Sequence, residues 1–450
     1  MNIYLDNAST TFPKPKVVSD SIYNFLVNIG GNPGRSNHNN GMESNRLLLE
    51  ARETIASFFN FNNISNVIFT SNITSSLNIL INGCLKKGDH VITSSIEHNS
   101  VLRPLFKLKN NNLIELSIVN SNEFGFINVV DIKNAIRKNT KLIILSHASN
   151  VLGSIQPIEE IGNLCKDNGI FFILDSAQSA GVLDIDFTKL NLSALAFTGH
   201  KSLLGPQGIG GFIITDELNK ICNPYILGGT GSMSYSLDQP DFLPDKFESG
   251  TLNMPGIVGL NEGIKFINKE GINTIYEKNS YLRNLLISNL QDIKNIQLYE
   301  DFNNPNYTSC VSFNSTKMDT AELSYELDYK YGIKNRSGLH CAPLTHKSIG
   351  SFPNGTVRLS ISYFNTVEDI NYTIDSINQI LKWILTSPNV NNYIREVFLW
   401  KFLKKSLTHP LNIHILKLES IFINIYLIWS NLIDLLYFYA LEQIDVLVIH

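Results

Sequence analysis

Between about residue 60 and residue 215 the chain repeats one unit: a short β-rich run, a Gly/Asn/Ser turn, and an amphipathic helical stretch. The spacing predicts strands at Val67–Thr70, His90–Ser94, Ile114–Val119, Leu142–Ser146, Phe171–Asp175, Ala194–Thr198 and Gly211–Ile214. Most of these runs are apolar and several show no alternation, which suits a sheet covered on both faces. Strands separated by helices read as a doubly wound, mostly parallel α/β sheet. In such a sheet ligands sit beyond the carboxyl ends of the strands, so chemistry is to be sought in the polar residues directly after them.

This reading assigns residues 1–255 to an N-terminal segment and a large domain. After Pro255-Gly256 a long helical stretch leads into a smaller α+β domain, residues 256–385, with strands at Val311–Asn314 and Val357–Ser362 and a helix over Thr320–Tyr331. It ends in a helix Val367–Lys382, with Thr366 as N-cap and Asp369 in the first turn. Residues 386–450 form a tail rich in Ile, Leu, Asn and aromatic residues, without glycine. Within it, Ile421–Ala440 is about as long as a bilayer span and follows Lys401, Lys404 and Lys405, yet it carries Asn424, Asn431 and Asp434. A membrane anchor, a helix packed on the body and an unselected extension all remain open, the last being favoured.

Charge excludes one class of function. Lys plus Arg number 36 against 40 Asp plus Glu, a net charge of −4, which leaves no basic excess for a polyphosphate backbone. Nucleic acid is not expected as the main partner. The five cysteines, at 84, 165, 222, 310 and 341, are scattered and lack metal-ligand spacing, so a reducing compartment and no metal are expected. The opening MNIYLDNAST does not read as a secretory signal, which points to the cytoplasm.

Five segments place reactive groups after strands. In FTGHKSLLGPQGIGG, Phe197–Gly211, Lys201 follows an apolar strand; in a dry cleft such an amine loses its proton and can form an imine, although a solvated loop lysine fits the pattern too. Asp175 closes the strand of FFILDSAQSAG, where a partly dehydrated carboxylate wants a cation such as a protonated pyridine, or simply caps a turn. His98 lies just past the strand His90–Ser94; His147 and Asn150 follow another strand. FTSNITSSLN runs from a strand into a helix start whose free N–H groups near Ile73 and Thr74 could hold a phosphate. Each of these alone is compatible with ordinary loop or cap hydrogen bonding.

Taken together, the strand-end Asp, the Lys in its Thr-Gly-His-Lys setting, the upstream His and the helix start resemble the fold-type I pyridoxal-phosphate enzymes of aminotransferase class V, in their cysteine desulfurase branch. The resemblance covers roughly the first 385 residues. It implies Lys201 as the imine-forming lysine and Asp175 as the partner of the pyridine nitrogen. It also implies His98 stacked on the ring, Asn150 and Gln178 near the phenolic oxygen and the substrate, and a phosphate cup of Ile73, Thr74, Thr198 and His200. Thr251, in FESGTLNMPG, matches the segment that reaches the neighbouring subunit's phosphate, which implies a homodimer. Ser75 after Thr74 departs from the family's usual Thr-Glu, and Asn72 with GGTGSMS, Gly228–Ser234, resembles a less-studied subgroup.

The reaction type is carried by NRSGLHCAPLTH, Asn335–His346, which resembles the loop holding the desulfurase nucleophile. Cys341 is flanked there by His340 and Arg336, and cationic neighbours raise a thiol's thiolate fraction. Arg358 matches the family's substrate-carboxylate clamp, a role suited to a guanidinium fork. The resemblance implies that L-cysteine becomes L-alanine while its sulfur moves to Cys341 as a persulfide and then to an acceptor protein, for iron–sulfur cluster or thio-cofactor synthesis. Lys201 and Cys341 are then expected in the same cationic, partly dry cleft. A selenocysteine lyase or cysteine/cystine lyase on the same scaffold, and a non-catalytic scaffold recruited through its tail, are the alternatives.

Overall fold

The computed structural model describes residues 2–34 and 38–386. The tail readings, the Ile421–Ala440 span included, lie outside the described residues; no helix among those residues is long and apolar enough to cross a membrane. One compact unit spans Met1–Leu385. The chain opens with a two-residue strand, β1 (Ile3–Tyr4), followed by the strands of a large sheet: β2 (Val67–Thr70), β3 (Asp89–Ser94), β4 (Ile114–Val119), β5 (Thr140–Ser146), β6 (Phe171–Asp175), β7 (Ala194–Thr198) and β8 (Gly210–Ile214). All seven predicted runs are therefore strands, extended at most by two residues at one end.

The sheet has the order β2-β8-β7-β6-β5-β3-β4, and β8 runs against both of its neighbours while the remaining pairs are parallel. The absence of alternation has a visible cause in β5. Leu142 and Ile144 pack into the core on one face, Ile143 and Leu145 into the core on the other, and all four are buried. Each fully buried side chain of this size contributes about 1.5–3 kcal/mol, so both faces must be covered by helices. From β3 the chain passes outward to β4 and then returns to the other side of β3 as β5. The winding reverses between β3 and β5, where a ligand crevice is expected.

The second part is an antiparallel sheet of β9 (Ile296–Leu298), β10 (Cys310–Ser315), β12 (Arg336–Gly338) and β13 (Thr356–Ser360), in the order β12-β13-β10-β9, and β11 (Ile333–Lys334) pairs with β1. The helix Thr320–Tyr329 starts at Asp319, which caps the amide of Ala321. The helix Val367–Thr386 opens on a reciprocal box: Asp369 N–H donates to Thr366 Oγ1 and Thr366 N–H to Asp369 Oδ2, both at 3.2 Å. The N-terminal segment belongs spatially to this small sheet. Leu5 N donates to Lys334 O at 2.8 Å, and Ser360 N donates to Leu5 O at 2.7 Å.

Candidate active site

The carboxyl ends of β3, β5, β6 and β7 border an open cleft of about 810 Å³. Lys201, Asp175, His98, Asn150, Gln178 and Arg358 all line it, as do Ile73, Thr74, Thr198 and His200. Ten positions spread from residue 73 to residue 358 are thus brought to one place by the sheet topology.

Lys201 ends a tight loop after β7. Gly199 is required there because a Cβ would stand 2.8 Å from Ile209 Cγ2 and 3.1 Å from Ile209 O. Three donors converge on the carbonyl just before the lysine: Thr11 N at 3.0 Å, Thr10 Oγ1 at 3.1 Å and Lys14 Nζ at 2.6 Å, all to His200 O. Burial lowers the Lys201 pKa to about 8; the Asp175 charge opposes the shift and Arg358 adds to it. Burial also lowers Lys14, to about 7.

Asp175 is 4% exposed, its Oδ1 accepts from Ala177 N at 2.9 Å, and burial raises its pKa against the pull of that bond and of Lys201. His98 caps the helix Asn99–Asn110, its Nδ1 accepting from Ser100 N at 3.1 Å. Burial, then the charges of Lys201 and Arg336, lower its pKa to about 4, so the ring facing the cleft is neutral at pH 7. His147 is buried, with its pKa lowered to about 3 by burial.

A cofactor of the expected kind can be tested against the polar atoms that the fold leaves over. The helix Ile73–Cys84 is capped by Asn72, whose Oδ1 takes the Ser75 amide at 3.0 Å, and the amides of Ile73 and Thr74 at the helix start remain for a ligand. Thr198 Oγ1, His200 Nδ1, Asn150 Oδ1, Arg358 Nε and His340 Nδ1, all on cleft-lining residues, are buried without a hydrogen-bond partner. Buried polar groups are rarely left unpaired, so a cleft collecting five of them fits a polar, phosphorylated ligand.

Arg358 is 1% exposed and already engaged: Nη2 donates to Asp6 Oδ1 at 2.8 Å and to Ser9 Oγ at 2.9 Å, Nη1 to Asn150 O at 2.8 Å. Asp6 and Ser9 were not singled out by sequence reasoning, because their contact with Arg358 spans some 350 residues. Gln178 Nε2 donates to Ala8 O at 3.1 Å. Ser146 and Asn72 also line the cleft, and their positions at the end of a strand and directly before a helix were the available signals.

Cys341 departs from expectation. Its side chain is exposed and does not line the cleft with Lys201, although His340 and Arg336 do. The cause is local: His340 and Cys341 both have positive φ, 47° and 58°, which turns the chain outward at the cleft rim. Three contacts hold that turn. Asn150 Nδ2 donates to His340 O at 2.6 Å, Asn99 N to Cys341 O at 2.8 Å, and His340 Nε2 lies 3.1 Å from Thr356 O. His340 is not the cationic neighbour expected of it, since burial, with Arg358 and His346 nearby, drives its pKa well below the usual value. Thr251 is exposed and does not line this chain's own cleft.

The aminotransferase class-V family model matches residues 3–373. Among curated proteins, a probable cysteine desulfurase of Methanothermobacter thermautotrophicus is 34% identical over 84% of this chain and 94% of its own. The cysteine desulfurase IscS of Buchnera aphidicola is 32% identical, again over 84% of this chain and over 92% of its own. Among solved structures, a cysteine desulfurase from Thermococcus onnurineus NA1 superposes with a TM-score of 0.80 at 31% identity, covering 85% of this chain and 95% of that one. The Escherichia coli cysteine desulfurase CsdA gives 0.77 at 25% identity, covering 85% and 95%. The chain belongs to the aminotransferase class V family, in its cysteine desulfurase branch.

Proposed function

We propose that the protein is a cysteine desulfurase that uses pyridoxal 5′-phosphate, converting L-cysteine to L-alanine and taking the sulfur onto Cys341. The family is generally dependent on this cofactor. The observation that carries the reading is the pairing of a half-buried lysine, shifted toward its free amine, with a buried aspartate in a cleft whose lining residues carry five orphaned polar atoms. Lys201 would supply an amine for the cofactor's aldehyde and would move the substrate's α-proton; Asp175 would hold a cationic ring nitrogen, and neutral His98 would lie against the ring. Thr198, His200 and the amides of Ile73 and Thr74 would hold the phosphate. When bound, the cofactor supplies an electron sink for the substrate's α-carbon.

Sulfur transfer then balances as a thiolate displacement. Cys341 Sγ forms the S–S bond as the substrate's Cβ–S bond breaks, the electron pair stays with carbon, and protonation there yields alanine. Exposure of Cys341 at the rim supports hand-over to an acceptor protein, in iron–sulfur cluster or thio-cofactor synthesis. Arg358, with Asn150, binds the substrate carboxylate. A homodimer is supported by exposed Thr251 lying close in sequence to exposed Tyr225, Leu227, Tyr235 and Leu237. Within the unit we assign residues 1–255 and 256–385 to large and small domains. Five free cysteines support a reducing, cytoplasmic setting.

The test is to reconstitute the purified protein with pyridoxal phosphate, add L-cysteine, and measure alanine and protein-bound persulfide in wild type and Cys341→Ser. A visible band in both proteins and persulfide in the wild type only is expected. A protein that stays colourless, or sulfide release that survives the substitution, would overturn the reading.

A further inference from the structure

Glu97 is fully buried, stands directly before His98, and takes no part in the chemistry above. Its carboxyl accepts from Ser94 Oγ at 2.5 Å, from Ser146 N at 2.9 and 3.1 Å, and from Ser146 Oγ at 2.8 Å. Ser94 ends β3 and Ser146 ends β5. These are the two strands between which the winding reverses, so Glu97 bridges the sheet at the point where the crevice opens. Ser146 stands opposite Asp175 in the β5–β6 register, and the next amide, His147 N, donates to Asp175 O at 2.9 Å. A single carboxyl thus ties the turn that presents His98 to the strand end that supports Asp175.

The charge environment is equally specific. Burial lifts Glu97 to about 7, and the charge of Asp175, from β6, pushes in the same direction. The other groups acting on it are the Ser94 and Ser146 hydroxyls and the Ser146 amide, which favour the anion; His98, on its own turn, is neutral. Two carboxyls at one dry sheet end do not both ionise without cost.

We propose that Glu97 is a positioning residue: it fixes the His98 turn to the end of β5 and, on the acid side of its titration, takes a proton from solvent and so leaves the negative charge of the pair on Asp175. This rests on the cleft being the cofactor site proposed above. The role differs from a structural bridge in that it depends on which carboxyl holds the proton.

The test begins on the protein without cofactor. Infrared difference spectra between pH 5.5 and 8.5 should show a protonated-carboxyl stretch in the wild type that disappears through about pH 7 and is missing in Glu97→Gln. In Ser146→Ala, which removes one bond favouring the anion, the midpoint should move upward. After loading with pyridoxal phosphate, the pH titration of the visible band should differ between wild type and Glu97→Gln by about half a unit or more, with melting temperature used to confirm folding. Identical infrared titrations in wild type and Glu97→Gln, an unmoved midpoint in Ser146→Ala, or superimposable band titrations in folded proteins would overturn the proposal. A wild type that never develops a band sinks the cofactor reading alone, and the infrared comparison still decides whether Glu97 holds the proton.

Discussion

The depressed pKa of Lys201 makes a quantitative demand on the rate of cofactor capture. With a pKa of about 8 rather than 10.5, the free-amine fraction at pH 7 rises from about 0.03% to about 9%, close to 300-fold. Mixing cofactor-free protein with excess pyridoxal 5′-phosphate between pH 6 and 10.5, and following the visible band, measures that fraction as a rate. The rate should rise about tenfold per unit up to pH 8 and flatten beyond it. Asp175 opposes the shift, so Asp175→Asn should move the flattening to lower pH. A wild-type rate still climbing past pH 10, or an upward displacement in Asp175→Asn, would refute the assignment of Lys201 as a buried amine facing Asp175. Stability carries the same signature. The folded pKa lies below the unfolded one, so the unfolded chain binds more protons between pH 8 and 10.5; the burden on the fold is complete below pH 8 and is relieved as pH rises through that window.

Arg52 and Glu248 form a buried ion pair at 2.6 Å, and Glu248 also accepts from Phe69 N at 2.7 Å. Arg52→Ala strands the carboxylate and should cost about 3–5 kcal/mol, which over the 385-residue unit lowers the melting temperature by about 4–6 °C. Because Glu248 has a raised pKa in the fold, the deficit should shrink as pH falls, by calorimetry; a deficit that grows instead contradicts an unpaired buried acid. Asn99→Pro deletes the N–H that holds Cys341 O, while proline suits the first helical position and His98, at φ −70° and ψ 156°, suits the residue before it. Amide exchange in the Gly338–Ala342 turn should accelerate about three- to tenfold, and unchanged exchange would mean that the bond does not restrain the turn.

The large sheet was legible because burial on both faces leaves an unmistakable trace: β2, β6 and β7 have the bounds that their apolar runs predict, and the edge strand β4, IELSIV, has the bounds that its alternation predicts. The reciprocal cap of Thr366 and Asp369 is written in four consecutive residues and was equally readable. Cleft-lining groups that follow strands or open helices were found for the same reason. What escaped were relations between distant segments. Nothing near Asp6 in sequence announces Arg358, and Glu97 reads as one more polar residue in a turn until β3 and β5 are adjacent. The outward direction of the Cys341 thiol depends on two left-handed residues, neither a glycine, which composition does not reveal.

The N-terminal strap sets the order in which the site can be finished during synthesis. Residues Thr10–Lys14 clasp the carbonyl before Lys201, yet the strap is itself seated by Ser360, which accepts from Asn7 Nδ2 at 2.8 Å through its carbonyl and from the Ala8 amide at 2.9 Å through its hydroxyl. A ribosome adding about 5–20 residues per second emits the strap some tens of seconds before its anchor. During that interval the lysine loop can fold on β7 without its clasp. The clasp on the carbonyl before Lys201 is therefore completed only once the small sheet exists to seat the strap.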